Sequence, residues 1–389
     1  MHPSKTILAL ILMLPVVSTL GEKSHGASDR KEIGTLVIGT VFPHSGPQAP
    51  YGEEAFAGVE IALESLVKSD PDLAAHINLL KGDDQSTPQG ARSAAQELIA
   101  KRASILIGSV TNPSSKTLAE ISHEFKKPLI IPASSSLSIG PMSPYVFRSC
   151  AIDRWQGKLL GEFAIKELKM KKAAILLDPK VNYSHDIVEN FKRTFNSLGG
   201  GIVHKELYLS AKPQFRRHIT NIAKTNADFI LFPSESAKEV AEVMLVLKKV
   251  GLHIPLLGGD RWGSPSLKKQ AKGALAGHYY AVPFTAEDPN PRTQAFVDSF
   301  KKKMRRYPSA LAAMTYDAFL LAANSFKRAR TNRATELVRS IKRTKDLPAL
   351  LGPLSINAQG FAEKSALIMV TTKKGPVVKS TVHPSRVKM

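Results

Sequence analysis

The chain has 389 residues, 43% of them hydrophobic, enough to bury a sizeable core and long enough for two domains rather than one. Its single cysteine, Cys150, excludes an internal disulfide and any CxxC metal or redox site, so stability must come from packing. The 54 Lys and Arg against 33 Asp and Glu give a net charge of +21, yet no base-stacking aromatics are interleaved with the cations and no nucleic-acid motif appears.

The first element is an apolar run from Ile7 to Val17, preceded by His2 and Lys5 and followed by the small residues Ser18, Thr19 and Gly21. It is roughly half the ~20 residues that a membrane-spanning helix requires, so it reads as a removable export signal over residues 1–21, cleaved between 19 and 27. Nothing later is apolar enough to span a bilayer, and no cysteine follows the run to carry a lipid. The expectation is a soluble protein working in the periplasm.

Leu36, Val37 and Ile38 then form a strand-type run, and Ala55, Val59, Ala62, Leu63 and Leu66 recur at helical spacing. Between them lies the loop F-P-H-S-G-P-Q-A-P-Y-G, beginning at Phe42. A loop that leaves the carboxyl end of a strand and opens a helix is where open α/β sheets collect small ligands. Unpaired N–H groups at such a helix start can hold a carboxylate without any catalytic side chain.

Further apolar runs at Ile77–Leu80, Ile105–Gly108, Leu129–Ile131, Ala173–Leu177, Phe229–Phe232 and Pro255–Leu257 read as buried strands. Amphipathic stretches at Gln89–Lys101, Trp155–Leu168, His185–Leu198, Gln214–Lys224 and Ala237–Val250 alternate with them. This rhythm predicts an α/β fold, with parallel sheets covered by helices on both faces, in two lobes of similar design. Asp83 and Asp84 end a strand, and Thr87-Pro88 supplies a helix cap with proline in the first turn. Gly199 to Gly201 close a helix rather than cradle a phosphate. The cations cluster at Lys301–Arg306 and again from Lys327 to Lys345. Such faces either attract an anionic partner or are solvated helix surfaces.

Taken together these motifs resemble the periplasmic binding protein class I type, in the branched-chain amino acid and amide-binding (leucine-binding protein) family that feeds ABC transporters. The likeness is carried by S-G-P-x-x-x-Y-G at Ser45–Gly52, D-D-x-S-T-P at Asp83–Pro88 and I-G-S-V-T-N-P-S-S at Ile107–Ser115. P-A-S-S-S at Pro132–Ser136, Y-V-F-R at Tyr145–Arg148 and G-G-D-R-W at Gly258–Trp262 add to it. So do Y-P-S-A-L-A-A-M-T-Y-D-A at Tyr307–Ala318 and G-P-L-S-I-N-A-Q-G at Gly352–Gly360.

The resemblance implies two Rossmann-like lobes joined by a three-crossover hinge, with 33–149 and 283–357 in the first lobe and 150–282 and 358–389 in the second. It also implies that a small ligand is enclosed as the lobes close, and that a membrane permease reads the closed form. Carried over position by position, the first lobe holds a ligand carboxylate through Ser109, Asn112, Ala133, Ser134 and Ser135, while the second offers Asp260 and Glu235 to the ammonium. Tyr183 matches a cleft tyrosine, with Ser184 where the pattern has glycine, and Tyr51 and Phe42 shape the apolar wall. Each has a plainer alternative: turn chemistry for the serines, a helix cap or an Arg261 pair for Asp260, a cap of the following helix for Glu235, and core packing for Phe42. Glu235 replaces an aromatic or small residue of the leucine-type binders, which makes a basic or amide-bearing ligand an open alternative to a simple amino acid.

The expected function is therefore capture of an amino acid, amide or related compound by a monomer that delivers it to an ABC importer, with no cofactor, metal or catalytic residue and no nucleic-acid partner. The alternatives are an extracellular sensor that presents its closed state to a receptor and an exported hydrolase. The chain lacks G-x-S-x-G, H-E-x-x-H and G-x-x-x-x-G-K-[ST].

Overall fold

A computed structural model describes residues 34–134, 143–150, 153–263, 265–271 and 273–382. The expected export signal and Ser135 lie outside the described residues. From Gly34 the chain runs through β1 (Leu36–Phe42), α1 (Ala49–Ser69), α2 (Pro71–Ala75), β2 (Ile77–Asp83) and α3 (Pro88–Ala100). β3 (Ile105–Gly108), α4 (Asn112–Glu124), β4 (Leu129–Ile131) and β5 (Val146–Arg148) follow. Next come α5 (Asp153–Lys166), β6 (Lys172–Leu177), α6 (Asn182–Ser197), β7 (Gly201–Leu207), α7 (Phe215–Ile222), β8 (Phe229–Leu231) and α8 (Ala237–Val250). β9 (Leu256–Gly258), a 3-10 turn at Asp260–Gly263, α9 (Pro265–Gln270) and β10 (Tyr279–Val282) complete the α/β alternation. The chain ends in α10 (Pro291–Met304), α11 (Ala310–Ala329), α12 (Ala334–Lys342), β11 (Leu347–Ala349), β12 (Gly352–Ile356), β13 (Ala362–Glu363), β14 (Ala366–Thr372) and β15 (Gly375–Val382).

The strands build a five-stranded parallel sheet in the order β2-β1-β3-β4-β5 and a seven-stranded sheet in the order β15-β14-β10-β9-β8-β6-β7. In the second sheet only β14 runs against the other strands, pairing antiparallel with β10 on one side and β15 on the other, while β11, β12 and β13 make a small antiparallel sheet of their own.

Strand alternation explains why helices cover both faces of the second sheet. Ala173, Ile175, Leu177, Phe229, Leu231 and Leu257 point to one side, against Leu159, Phe163, Phe191 and Phe195 of α5 and α6. Ala174, Leu176, Ile230, Phe232 and Leu256 point to the other, against Ile219, Val240, Met244 and Leu267 of α7, α8 and α9. In the first sheet Val41, Leu106, Leu129 and Ile131 face Ala94, Leu98, Leu118 and Ile121 of α3 and α4. The opposite side is covered by α1 with α11, and α10 and α12 pack beside that pair. Thus helices that follow β10 in sequence build onto the first sheet before the chain returns to the second as β14 and β15.

Two sequence expectations need correction. β2 extends to Asp83 and is half-exposed rather than buried, because it is an edge strand with one neighbour. The start of α1 is not an open anion seat: Gln48 N–H donates to Ser86 Oγ (3.0 Å), Ala49 N–H to the Gly46 carbonyl (3.1 Å) and Tyr51 N–H to the Gln48 carbonyl (3.0 Å). The loop closes so tightly on this helix that a Cβ on Gly52 would lie 1.7 Å from the Pro43 carbonyl oxygen.

Part of the positive charge is neutralised within the fold. Lys303 pairs with Glu60 and Glu64, Arg306 with Glu54, Lys327 with Asp70 and Arg339 with Glu336.

Two histidines give the fold an acid-sensitive window. Burial lowers the pKa of His278 from 6.5 to about 4; its Nδ1 accepts the Leu256 N–H (3.1 Å), so the ring is held neutral. His44 also falls to about 4, through burial first and then the nearby Lys81 ammonium, against the opposing pull of Asp83. Both folded values lie below the unfolded one, so between pH 6.5 and about 4 the unfolded chain binds protons that the folded chain excludes. Stability is expected to be full above about pH 6.5 and to fall as the pH drops through that window. Urea unfolding at pH 7.5, 6.0 and 5.0 checks this, with His278→Gln, which keeps an acceptor, losing roughly half of the slope. A midpoint constant over this range would contradict it.

Candidate functional site

Ligands of doubly wound sheets bind beyond the carboxyl ends of the strands, where the strand order reverses. Here those points lie between β1 and β3 in the first sheet and between β6 and β8 in the second. Each ligand-contact candidate among the described residues lies in a loop or helix start that follows the carboxyl end of a strand: Tyr51 after β1, Ser109 and Asn112 after β3, Ala133 and Ser134 after β4, Tyr183 after β6, Glu235 after β8 and Asp260 after β9.

On the first sheet the hydroxyls form a closed, buried network. Ser109 Oγ donates to Asp84 Oδ2, and Ser109 N–H donates to Ser115 Oγ (3.2 Å). Ser115 Oγ in turn lies 2.7 Å from Ser134 Oγ. Asp84 also accepts the Ser86 N–H at 2.8 Å. Burial raises its pKa, against the downward pull of the bonds from Ser109 and Ser86. Ser109 and Ser134 are thus fully engaged beneath the surface, and the hydrogens that the sequence offered to an anion are spent on shaping the loops. Half-buried Ala133 lines a cavity, whereas Asn112 is exposed as the first residue of α4. Tyr51 is 55% exposed and stands apart from that cavity, and Phe42 is a core residue.

On the second sheet the geometry is more directed. Tyr183 is buried, and its hydroxyl donates to Asp260 Oδ1 at 2.8 Å. The Asp260 N–H donates to Gln156 Oε1 at 2.9 Å, which fixes the turn after β9. A Cβ on Gly259 would lie 2.2 Å from the Tyr183 hydroxyl and 2.7 Å from Gln156 Oε1, so the approach of these groups to the backbone requires glycine there. Ser184, where the family pattern has glycine, donates from Oγ to the Pro233 carbonyl (2.6 Å) and ties the start of α6 to the loop after β8. Glu235 is exposed and does not cap α8; Ser236 does, accepting the Glu239 N–H at 3.3 Å. The hydrogen-bonded carboxylate in this region is half-buried Glu239, which takes the hydroxyls of Tyr208 (2.8 Å) and Ser234 (2.6 Å).

A cavity of about 220 Å³ joins the two sides, with Ala133 and Cys150 from the first and Trp155, Gln156, Asp260 and Arg261 from the second. Met314 and Lys364 also line it. Lys364 is buried with its ammonium 2.6 Å from Asp317, while its carbonyl accepts the Trp155 indole N–H at 2.6 Å. Of the residues singled out from sequence, the cavity unites Ala133 and Asp260, with Tyr183 behind Asp260; Ser109, Asn112, Tyr51 and Glu235 do not line it. Sequence reasoning missed Gln156, Trp155 and Lys364, which carry no local motif. Arg261 was visible inside G-G-D-R-W but was weighed only as a partner for Asp260; no ion pair joins the two among the described residues.

The site can therefore present a carboxylate oriented by a tyrosine hydroxyl to a cationic group entering from the cleft. In comparisons with known proteins, residues 35–376 match the family described as periplasmic binding protein. A leucine-, isoleucine-, valine-, threonine- and alanine-binding protein of Pseudomonas aeruginosa is 24% identical over 296 residues, 76% of this chain and 79% of that one. A leucine-binding protein of Thermotoga maritima superposes with a TM-score of 0.66 at 25% identity, over 90% of this chain and 99% of the other. A solute-binding protein of an ABC transporter from Rhodopseudomonas palustris, solved with 3,4-dihydroxybenzoic acid, gives a TM-score of 0.67 at 22% identity, over 90% and 97% of the two chains.

Proposed function

The chain belongs to the periplasmic binding protein family, and from that premise we propose that it captures a small amino acid or amide-type ligand between two lobes and delivers it to an ABC importer. The lobes are 33–149 with 283–357 and 150–282 with 358–389, the leader over residues 1–21 directs export to the periplasm, and the chain acts as a monomer on a membrane permease. One observation carries the reading: a single cavity is lined by Ala133, beyond one parallel sheet, and by Asp260, held by Tyr183 beyond the other. A carboxylate so placed is a partner for a ligand ammonium, which cannot be buried without one. The amino acids in the relative's name and the 3,4-dihydroxybenzoic acid of the solved neighbour support a small carboxylate-bearing compound.

Mass spectrometry of small molecules released on denaturing the purified protein, followed by calorimetry with a panel of amino acids, amides and aromatic acids, tests this. The expected result is one ligand bound per chain and recovered unchanged. Conversion of a bound compound to product would contradict it.

A further inference from the structure

The positive charge of the chain is not spread evenly over the fold. In a parallel sheet each crossover helix ends beside the amino ends of the strands, opposite the loops that carry the candidate site. At that far end of the first sheet Lys68 closes α1, Arg102 follows α3, and Lys126 and Lys127 follow α4. Arg330 and Arg333 join them between α11 and α12. That connection is held at the same end by Lys327 on Asp70 (2.7 Å) and by Asn332 Nδ2, which donates to the Thr35 carbonyl (2.9 Å) just before β1.

None of these six cations has an ion pair among the described residues, and the acids beside them are already engaged. Asp70 holds Lys327, Glu97 holds Lys101 (2.6 Å) and Glu124 faces Arg92 (3.9 Å), which leaves Asp72. At the carboxyl ends of the strands the balance reverses. There the loops carry Asp83, Asp84, Asp178, Glu235, Glu287 and Asp288 against Lys180 and Lys212, with Asp260 and Arg261 offsetting each other.

Three of the six cations occupy positions that the backbone favours for glycine. Arg102, Lys126 and Arg330 have φ of 66°, 52° and 53°, the left-handed conformation in which a side chain is strained. The helix dipole does not require this, since it rewards a cation within the last helical turn as well, where Lys68 and Lys327 already stand. Beside the cations two apolar side chains face solvent: Val67, 52% exposed, precedes Lys68, and Phe125, 39% exposed, precedes Lys126.

We propose that this end of the first sheet docks on an anionic phospholipid surface, whichever ligand the cavity takes. Headgroup phosphates neutralise the cations, Val67 and Phe125 enter the boundary beneath the headgroups, and the acidic end keeps the cavity facing away from the membrane. The contact is reversible and weakened by salt, so it gathers the chain at a membrane without covering the site. Lipid fits better than nucleic acid. A single aromatic makes no stacking track for bases, whereas an apolar pair gains by leaving water against acyl chains.

Sedimentation of the purified exported chain with vesicles tests this. Equimolar phosphatidylglycerol and phosphatidylcholine vesicles are expected to bind the chain in about 50 mM salt and release it in about 500 mM, and phosphatidylcholine alone is expected not to bind it. The triple variant Arg102→Asn, Lys126→Asn, Arg330→Asn removes three charges and installs a residue that tolerates the left-handed conformation. It is expected to bind about a hundredfold more weakly. Lys212→Gln, Arg216→Gln, Arg217→Gln takes the same charge from exposed positions beside the second sheet and is expected to stay within about threefold of the natural protein. Thermal unfolding confirms that both variants are folded.

Absence of binding to the anionic vesicles, equal binding to phosphatidylcholine, or equal losses in the two variants would each overturn the assignment, the last because net charge alone would then explain the binding. Complete displacement of the chain from the vesicles by a random-sequence DNA duplex at equal phosphate concentration would also overturn it, in favour of nucleic acid.

Discussion

Asp317→Ala is expected to lower the free energy of unfolding by about 3–5 kcal/mol, the cost of leaving a buried charge without its partner. Asp317 is fully buried on α11 and accepts three donors: the Lys364 ammonium at 2.6 Å, the Leu350 N–H at 2.7 Å and the Leu351 N–H at 3.2 Å. Alanine would take the acceptor from all three buried donors. The consequence reaches beyond α11, because the Lys364 carbonyl also receives the Trp155 indole N–H of α5. One residue on the return to β14 is therefore bound through its side chain to a helix that covers the first sheet and through its backbone to a helix that covers the second. Asp317→Asn, which keeps one acceptor, should cost less than alanine. Urea denaturation at neutral pH provides the measurement, and a loss below about 1 kcal/mol for Asp317→Ala would show that the pair contributes little.

Asp260→Ala is expected to weaken the tightest-binding amino acid of the calorimetric panel about a hundredfold, ~2.7 kcal/mol. The reason is the same physics applied to a ligand: an ammonium enclosed in the cleft without a carboxylate loses its hydration and gains nothing in return. The Tyr183 hydroxyl would also lose its acceptor. Tyr183→Phe removes the orienting bond but leaves the charge, so its loss should be several-fold smaller. Affinity within about threefold of the natural protein after Asp260→Ala would remove the ammonium assignment.

The α/β character of the chain was legible because its inner strands are short, apolar and buried on both faces, as at Ile105–Gly108 and Leu129–Ile131, where sequence and structure give the same bounds. The positions of the loops around the site were legible for the same reason, since a strand end and a helix start bracket each one. What the loops do with their polar groups was not. The Gln156–Asp260 bond joins residues 104 positions apart, Trp155–Lys364 spans 209, and Lys364 meets Asp317 across 47. No local pattern encodes such pairings. The serines beyond β3 and β4 suggested an anion cradle, yet their hydroxyls satisfy Asp84 and one another, a choice made by burial that a linear motif cannot express. Likewise the start of α1 looked free until the neighbouring turns supplied acceptors for its N–H groups.

Small-angle X-ray scattering of the purified protein, titrated with the amino acid that calorimetry identifies, tests closure on an intact ligand most directly. The account predicts a smaller radius of gyration at saturation, restored by dialysis, with the ligand returned chemically unchanged. Superimposable curves for every solute in the panel, together with turnover of any one of them, would contradict it.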